Sequence, residues 1–214
     1  MNMSFQKRLV QLDVDSTFIQ QEAIELLAAK AGVLEEVARV TDEAMRGELD
    51  FAQSLHARVV LLRGLDEDAI QQVQKEIRLT DGAADLVALL HEKGHYVSLV
   101  SGGFTNVLQP IVEELKVDFY RANTLEIKDG QLTGKVVGDI VDRPAKAQAL
   151  KEFAQQCSVD LVNTVAIGDG ANDLDMMAIA GISIAFNAKP IVEAAADYSI
   201  KEPSLRSVAQ LINL

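Results

Sequence analysis

Three short apolar runs, Leu9-Val10-Gln11-Leu12, Tyr96-Val97-Ser98-Leu99-Val100 and Val162-Asn163-Thr164-Val165-Ala166-Ile167, each stop at a polar segment rich in glycine or aspartate. Runs of this length bounded by turn residues read as buried strands. The first is expected over about residues 8–13 and the next convincing one near residue 95. Between them the apolar residues recur at helical spacing. One helix is expected from near Gln20 to Gly32, and a second carries Val33, Val37, Val40 and Ala44 on one face and stops at Gly47. A third starts at Asp50 with Phe51, Leu55, Val59 and Leu62 in its stripe and ends at Gly64; a fourth follows an Asp66 cap with Ala69, Ile70, Val73 and Ile77. Glycine stops and acidic caps are the local reason for these limits.

Four short amphipathic helices must bury their stripes against one another, which predicts a small bundle inserted directly after the first strand. From residue 81 onward helices, near 82–93, 104–115, 144–156, 173–180 and 203–212, alternate with strands. Such alternation predicts an α/β fold with a parallel sheet. The segments Leu125-Glu126-Ile127 and Leu132-Thr133-Gly134-Lys135-Val136 flank Lys128-Asp129-Gly130, whose Asp-Gly step predicts an antiparallel hairpin flap. The expected division is a core of residues 1–17 and 80–214 and a helical cap of residues 18–79, joined by short hinges.

The strand ends carry the chemistry. Asp13-Val14-Asp15-Ser16-Thr17 follows the first run, Ser101-Gly102-Gly103 the second and Gly168-Asp169-Gly170-Ala171-Asn172-Asp173 the third. In open parallel sheets ligands bind beyond the carboxyl ends of strands, so the three segments can meet in one crevice. A turn between Asp13 and Asp15 lets one carboxylate attack while the other moves protons. An idle Asx turn is the alternative for Asp-x-Asp, and a plain tight turn the alternative for Ser-Gly-Gly.

Composition narrows the partners. The chain has 214 residues, 49% of them hydrophobic, enough for a sizeable core. A net charge of −12 without a clustered basic face argues against nucleic acid and anionic membranes as partners. Cys157 is the single cysteine, which excludes an intrachain disulfide. With neither a signal pattern nor a long apolar span in the sequence, the cytoplasm is the expected compartment. His56, His91 and His95 share no motif and are assigned no chemistry.

Taken in order, Asp13-x-Asp15-x-Thr17, Ser101-Gly102-Gly103, Lys146 and Gly168-Asp169-Gly170-x-Asn172-Asp173 resemble the motif series of the haloacid dehalogenase superfamily, and the likeness extends through the helical insert. Val14 stands where relatives commonly carry a bulkier apolar residue. The resemblance implies a Rossmann-like core with a small cap and hydrolysis of a phosphomonoester through an aspartyl phosphate. Asp13 would be the nucleophile and Asp15 the acid and then the base. Mg2+ would be held by Asp13, the Asp15 carbonyl and Asp169, with Asp173 supporting the ion from behind. Hard oxygen ligands suit magnesium.

Ser101, Gly102 and Gly103, at the start of the helix near 104, would cradle the phosphate, which Lys146 also meets from the first turn of its own helix. Asn172 would donate an amide to substrate or orient Lys146. Specificity falls to the cap. Arg58 lies on the apolar face of its helix, where it either snorkels or pairs with a substrate carboxylate. Glu22 could accept an ammonium group, and Met45 and Phe51 could shield the reaction from water or serve as bundle core. The resemblance implies magnesium-dependent hydrolysis of O-phospho-L-serine, the last step of serine biosynthesis, by a monomer or homodimer, and the charges of Arg58 and Glu22 suit such a small-molecule substrate. Another small phosphoester such as phosphohomoserine, transfer to an alcohol, a receiver-like signalling switch and a silent phosphoserine-binding module are the other readings.

Overall fold

A computed structural model describes residues 6–214, apart from the side chain of Met45. Seven strands form one sheet: β1 (Leu9–Asp13), β2 (Tyr96–Phe104), β3 (Phe119–Lys128), β4 (Gln131–Val137), β5 (Thr164–Gly168), β6 (Ile182–Phe186) and β7 (Tyr198–Ile200). Their order is β4-β3-β2-β1-β5-β6-β7, and every pairing is parallel except β3 with β4. The chain leaves β1 toward β2 on one side and later returns to β5 on the other. The carboxyl ends of β1 and β5 therefore flank the crevice that such a reversal opens.

Side-chain alternation explains why both sheet faces are covered. Val10 and Leu12 of β1 point into one apolar cluster with α5 (Ala83–Glu92), α6 (Thr105–Leu115) and α10 (Val208–Leu211). Leu9 points into the other, with α7 (Arg143–Gln156) and α8 (Leu174–Ile179). Gln11, also on that face, is fully buried; its amide donates to the Lys146 carbonyl (3.1 Å) and the Met176 sulfur (3.3 Å), so this polar residue fastens α7 and α8 to the central strand.

The insert after β1 consists of α1 (Ala23–Ala31), α2 (Leu34–Met45), α3 (Phe51–Leu61) and α4 (Asp68–Glu76). The Asp50 carboxylate accepts from the Gln53 amide (2.8 Å) and Gln53 returns the bond (2.9 Å), a reciprocal cap that sets the start of α3. Val37, Leu55, Val59, Ile70 and Val73 of these helices, with Leu62 just after α3, join the same apolar cluster as Val10 and Leu12.

Several limits differ from the sequence expectation. The first helix starts at Ala23 rather than near Gln20, because Ile19 bridges Leu79 and the Gln20 amide donates to the Arg78 carbonyl (2.9 Å). The two connections to the insert thus clasp each other. The expected helix over 203–212 shortens to α10, since Leu205 donates its N–H to Asp81 (2.8 Å) and Ser204 pairs with the Asp81 carboxylate (2.7 Å). Two strands, β6 and β7, and the short α9 (Pro190–Glu193) were not anticipated individually, and β3 begins at Phe119, well before the hairpin.

That hairpin does more than turn. Its backbone exchanges bonds with the connection between α3 and α4: Gly64 N–H to Leu132 (2.8 Å), Leu132 N–H to Leu65 (2.9 Å) and Glu67 N–H to Gly130 (2.9 Å). Gly134 adopts φ +79°, and a Cβ there would come within 3.0 Å of Arg63 Cβ and 3.3 Å of Val60 Cα on α3. Gly134→Ala should therefore cost about 1–3 kcal/mol, from backbone strain and displaced packing together. Urea unfolding measures it, and an unchanged midpoint would contradict the seam.

Candidate active site

Beyond Asp13 the chain makes one wide turn over Val14–Phe18, closed by the Ile19 N–H donating to the Val14 carbonyl (2.9 Å). Ser16 sits in the left-handed region at φ 59°, an uncommon conformation for a residue with a side chain. This turn brings Asp13 and Asp15 to the wall of one cavity of about 390 Å³. Asp15 accepts two hydrogen bonds: Oδ1 from the Ala23 amide that starts α1, and Oδ2 from the Ser101 hydroxyl, both 2.7 Å. Gly103 leaves room for this approach, since a Cβ there would lie 2.5 Å from Asp15 Oδ2.

Behind the cavity stands a buried charge cluster. The Asp142 side chain caps α7 by accepting from Ala145 (3.0 Å), and one turn on the Lys146 side chain, with no exposed surface, reaches Asp13 Oδ1 and Asp173 Oδ1 (2.7 Å). The other Asp173 oxygen accepts from the Gly170 amide (3.1 Å). Carboxylate atoms of Asp13, Asp169 and Asp173 all lie within 4.8 Å of one another. Burial, then the Asp173 and Asp169 charges, push the Asp13 carboxyl well above the ordinary range, against the pull of Lys146. Burial and Asp173 raise Asp169 likewise. Lys146 is the reverse case: desolvation disfavours its charge, but Asp13 and Asp173 outweigh it and hold the ammonium protonated.

With all three carboxylates ionised, one ammonium leaves two negative charges uncompensated in a buried space. All available ligand atoms are hard oxygens, so the cluster fits a divalent cation.

The far wall of the cavity comes from the insert, with Glu22, Phe51, Ser54, Leu55 and Arg58 among its residues. The Glu22 carboxylate accepts from the Ser16 hydroxyl (2.7 Å), and burial followed by the Asp15 charge moves it up to about 7. Arg58 donates Nε–H to the Ser54 carbonyl (3.2 Å) and is half-buried; desolvation draws its guanidinium pKa down, partly offset by Glu22 and Asp15. An acid and a base of opposite sign thus share one wall. The Phe51 ring lies over Gly102, where a Cβ would come within 2.8 Å of its Cζ. Met45 ends α2, and its side chain lies outside the described residues.

Of the residues singled out by sequence, Asp13, Asp15, Glu22, Phe51, Arg58, Gly102, Gly103, Asp169 and Asn172 line the cavity. Ser101, Lys146 and Asp173 are fully buried and lie outside its lining. The helix expected near 104–115 runs over Thr105–Leu115, but the cradle differs in form, since the Gly103 N–H donates to the Ser101 hydroxyl (2.7 Å). Sequence reasoning passed over Ser16 and Lys189. Lys189 lines the cavity from the loop after β6, and its N–H donates to the Asp169 carbonyl (3.1 Å). Its signal was available, since the apolar run Ile182-Ser183-Ile184-Ala185-Phe186 ends at Asn187-Ala188-Lys189-Pro190 as the other strands end at theirs. His56, His91 and His95 lie outside the cavity lining, and His91 pairs with Asp118 (2.9 Å).

Comparison with known proteins supplies the family. Residues 10–178 match the haloacid dehalogenase-like hydrolases. The chain is 56% identical over 208 residues to a phosphoserine phosphatase of Streptomyces coelicolor, covering 97% of this chain but only 51% of that protein, about half its length. It is 48% identical to a phosphoserine phosphatase of Streptococcus thermophilus, covering 99% of this chain and 98% of the relative. A solved structure described as a phospho-aspartyl intermediate analogue of phosphoserine phosphatase superposes with a TM-score of 0.90 at 42% identity, covering 96% of this chain and 99% of the other.

Removing the buried ammonium should expose the cost of the cluster. Lys146→Met should destabilise the protein by about 3–5 kcal/mol at pH 8, because it strands buried carboxylates. Lys146 lowers the pKa of both Asp13 and Asp169, so without it both carboxyls rise further, the folded variant takes up protons at higher pH than the native protein, and the deficit should shrink as pH falls toward 5. Thermal melts at both pH values decide this; a deficit independent of pH would count against the charge assignment.

Proposed function

The chain belongs to the haloacid dehalogenase-like hydrolase family, and on that premise we propose that it hydrolyses O-phospho-L-serine to L-serine and phosphate, the closing reaction of serine biosynthesis, in the cytoplasm and with Mg2+ as its divalent ion. The observation that carries the reading is a single cavity with the Asp13 and Asp15 carboxylates at one wall and the Glu22–Arg58 pair at another. One wall suits a phosphoryl group and the other the two charges of an amino acid. The identities to phosphoserine phosphatases support it.

Asp13 forms a bond to phosphorus as the bond from phosphorus to the serine oxygen breaks, and Asp15 gives its proton to that departing oxygen. Asp15 then takes a proton from the water that attacks the aspartyl phosphate, and cleavage of the bond between Asp13 and phosphorus restores the carboxylate. Lys146 offsets part of the burial and acidic repulsion that favour the protonated form of the nucleophile. Asp13, Asp169 and the Asp15 carbonyl, with Asp173 behind them, would hold a divalent ion, which would offset the repulsion between carboxylate and phosphate. Gly102, Gly103 and Asn172 border the phosphoryl group, with Asn172 on the loop that carries Asp169, while the buried Ser101 acts on it through its bond to Asp15. Residues 18–79 act as a cap over a core of residues 1–17 and 80–214, and Phe51, whose ring lies over Gly102, excludes water. Arg58 pairs with the substrate carboxylate and Glu22 with its ammonium group.

Asp13→Asn should abolish both turnover and labelling of the protein by phosphate from phosphoserine, while the circular dichroism spectrum stays unchanged; retained labelling would remove the nucleophile. Arg58→Ala should lower kcat/KM for phosphoserine by about 100-fold, or ~2.7 kcal/mol, and spare p-nitrophenyl phosphate, which lacks the amino-acid group.

Glu22 must be ionised to accept an ammonium group. With its carboxyl near 7, the kcat/KM for phosphoserine should fall from pH 8 to pH 6 more steeply than for p-nitrophenyl phosphate. Glu22→Gln should remove that difference, and identical pH profiles in the native chain would exclude the role.

A further inference from the structure

Asn123 on β3 is 2% exposed and lies outside the cavity lining, yet both ends of its amide are engaged. Its Nδ2 donates to the Gly102 carbonyl (2.8 Å), and its Oδ1 accepts from the Val141 N–H just before α7 (2.9 Å). The position has a structural cause. The register between β2 and β3 shifts between Val100 and Phe104: Val100 faces Arg121 and Phe104 faces Asn123, four steps on one strand against two on the other. Residues 101–103 therefore bulge out of the ladder, and the Asn123 side chain supplies a bond that the bulge removes.

The bond falls on one particular peptide group. The carbonyl of Gly102 and the N–H of Gly103 belong to the same planar unit, so holding one fixes the direction of the other. That N–H donates to Ser101 Oγ (2.7 Å), and the Ser101 hydroxyl, its lone pair so occupied, donates to Asp15 Oδ2 (2.7 Å). An unbroken chain of hydrogen bonds runs from Asn123 through one peptide and one hydroxyl to Asp15. Bonds aligned in this way polarise one another.

We infer that Asn123 is a positioning residue for proton transfer: by orienting the peptide between Gly102 and Gly103 it sets the rotamer of Ser101 and, through it, aims Asp15 at the departing oxygen. This rests on the reading of Asp15 as the acid. The step served is the one in which the bond from phosphorus to oxygen breaks and the Asp15 proton passes to that oxygen. An alkyl leaving group needs the proton, whereas p-nitrophenolate leaves without it.

The test compares kcat/KM for ethyl phosphate and p-nitrophenyl phosphate, using the full chain with Mg2+. The ratio of the two is independent of how much of a variant is folded, and kcat/KM covers only steps up to release of the alcohol. Asn123→Leu and Asn123→Ala should each lower the ethyl-to-aryl ratio by about tenfold, part of the 10²–10⁴ a placed acid contributes. Adding Ser101→Ala to either should lower it little further than Ser101→Ala alone, since both cut the same chain. Equal losses on both esters, or additive effects in the double variant, would overturn the inference. Asp15→Asn serves as the reference: if it too left the ratio unchanged, the reading of Asp15 as the acid would fall, and this inference with it.

Discussion

A lysine ammonium without solvent, placed between two carboxylates, is the constraint around which this molecule is arranged. Lys146 reaches Asp13 and Asp173 from a different helix, and neither carboxylate is near it in sequence. Burying such charges costs more than their attraction returns unless every partner is in place. The surrounding structure accordingly fixes each one: Gln11 holds the Lys146 carbonyl, Asp142 caps the helix that presents the lysine, and the Gly170 amide holds the second oxygen of Asp173. The arrangement is better explained by chemistry than by stability. In the proposed reaction Asp13 attacks as a carboxylate, and the Lys146 ammonium counters part of the burial that favours its protonated form.

The same logic extends to the opposite wall. Glu22 is held by a serine whose backbone is itself strained, and its carboxyl sits near neutrality because of burial and the proximity of Asp15. Arg58 faces the complementary penalty. Neither group forms a salt bridge among the described residues, which accords with the proposed role of the two in holding a doubly charged ligand.

Much of this was legible in the sequence because periodicity and strand-end composition are local. The β1 run, the four insert helices and the Asp-Gly hairpin are set by neighbours a few residues apart. The motif aspartates were recognisable as residues at strand ends. Long-range pairings were not legible. Nothing near Gln20 reveals that Ile19 will bridge Leu79 and delay the helix, and nothing near Ser204 reveals Asp81. Lys146 could be read as a cation at a helix start but not as a side chain with no exposed surface, since its burial depends on Asp13, 133 positions away. Ser101 was expected to face the ligand; its full burial follows from the bulge in β2, which only the register with β3 defines.

The backbone bonds between the β3–β4 turn and the loop at residues 64–67 bear on inheritance. The helices over the cavity and the strand tip near residues 130–134 are far apart in sequence but form one interlocked surface. A recombination event that exchanged only the contiguous helical segment with a relative would separate halves of a fitted joint. Under the proposed function, the module that selects the substrate is therefore discontinuous in the gene, and divergence among relatives should proceed by paired changes on both sides of that joint.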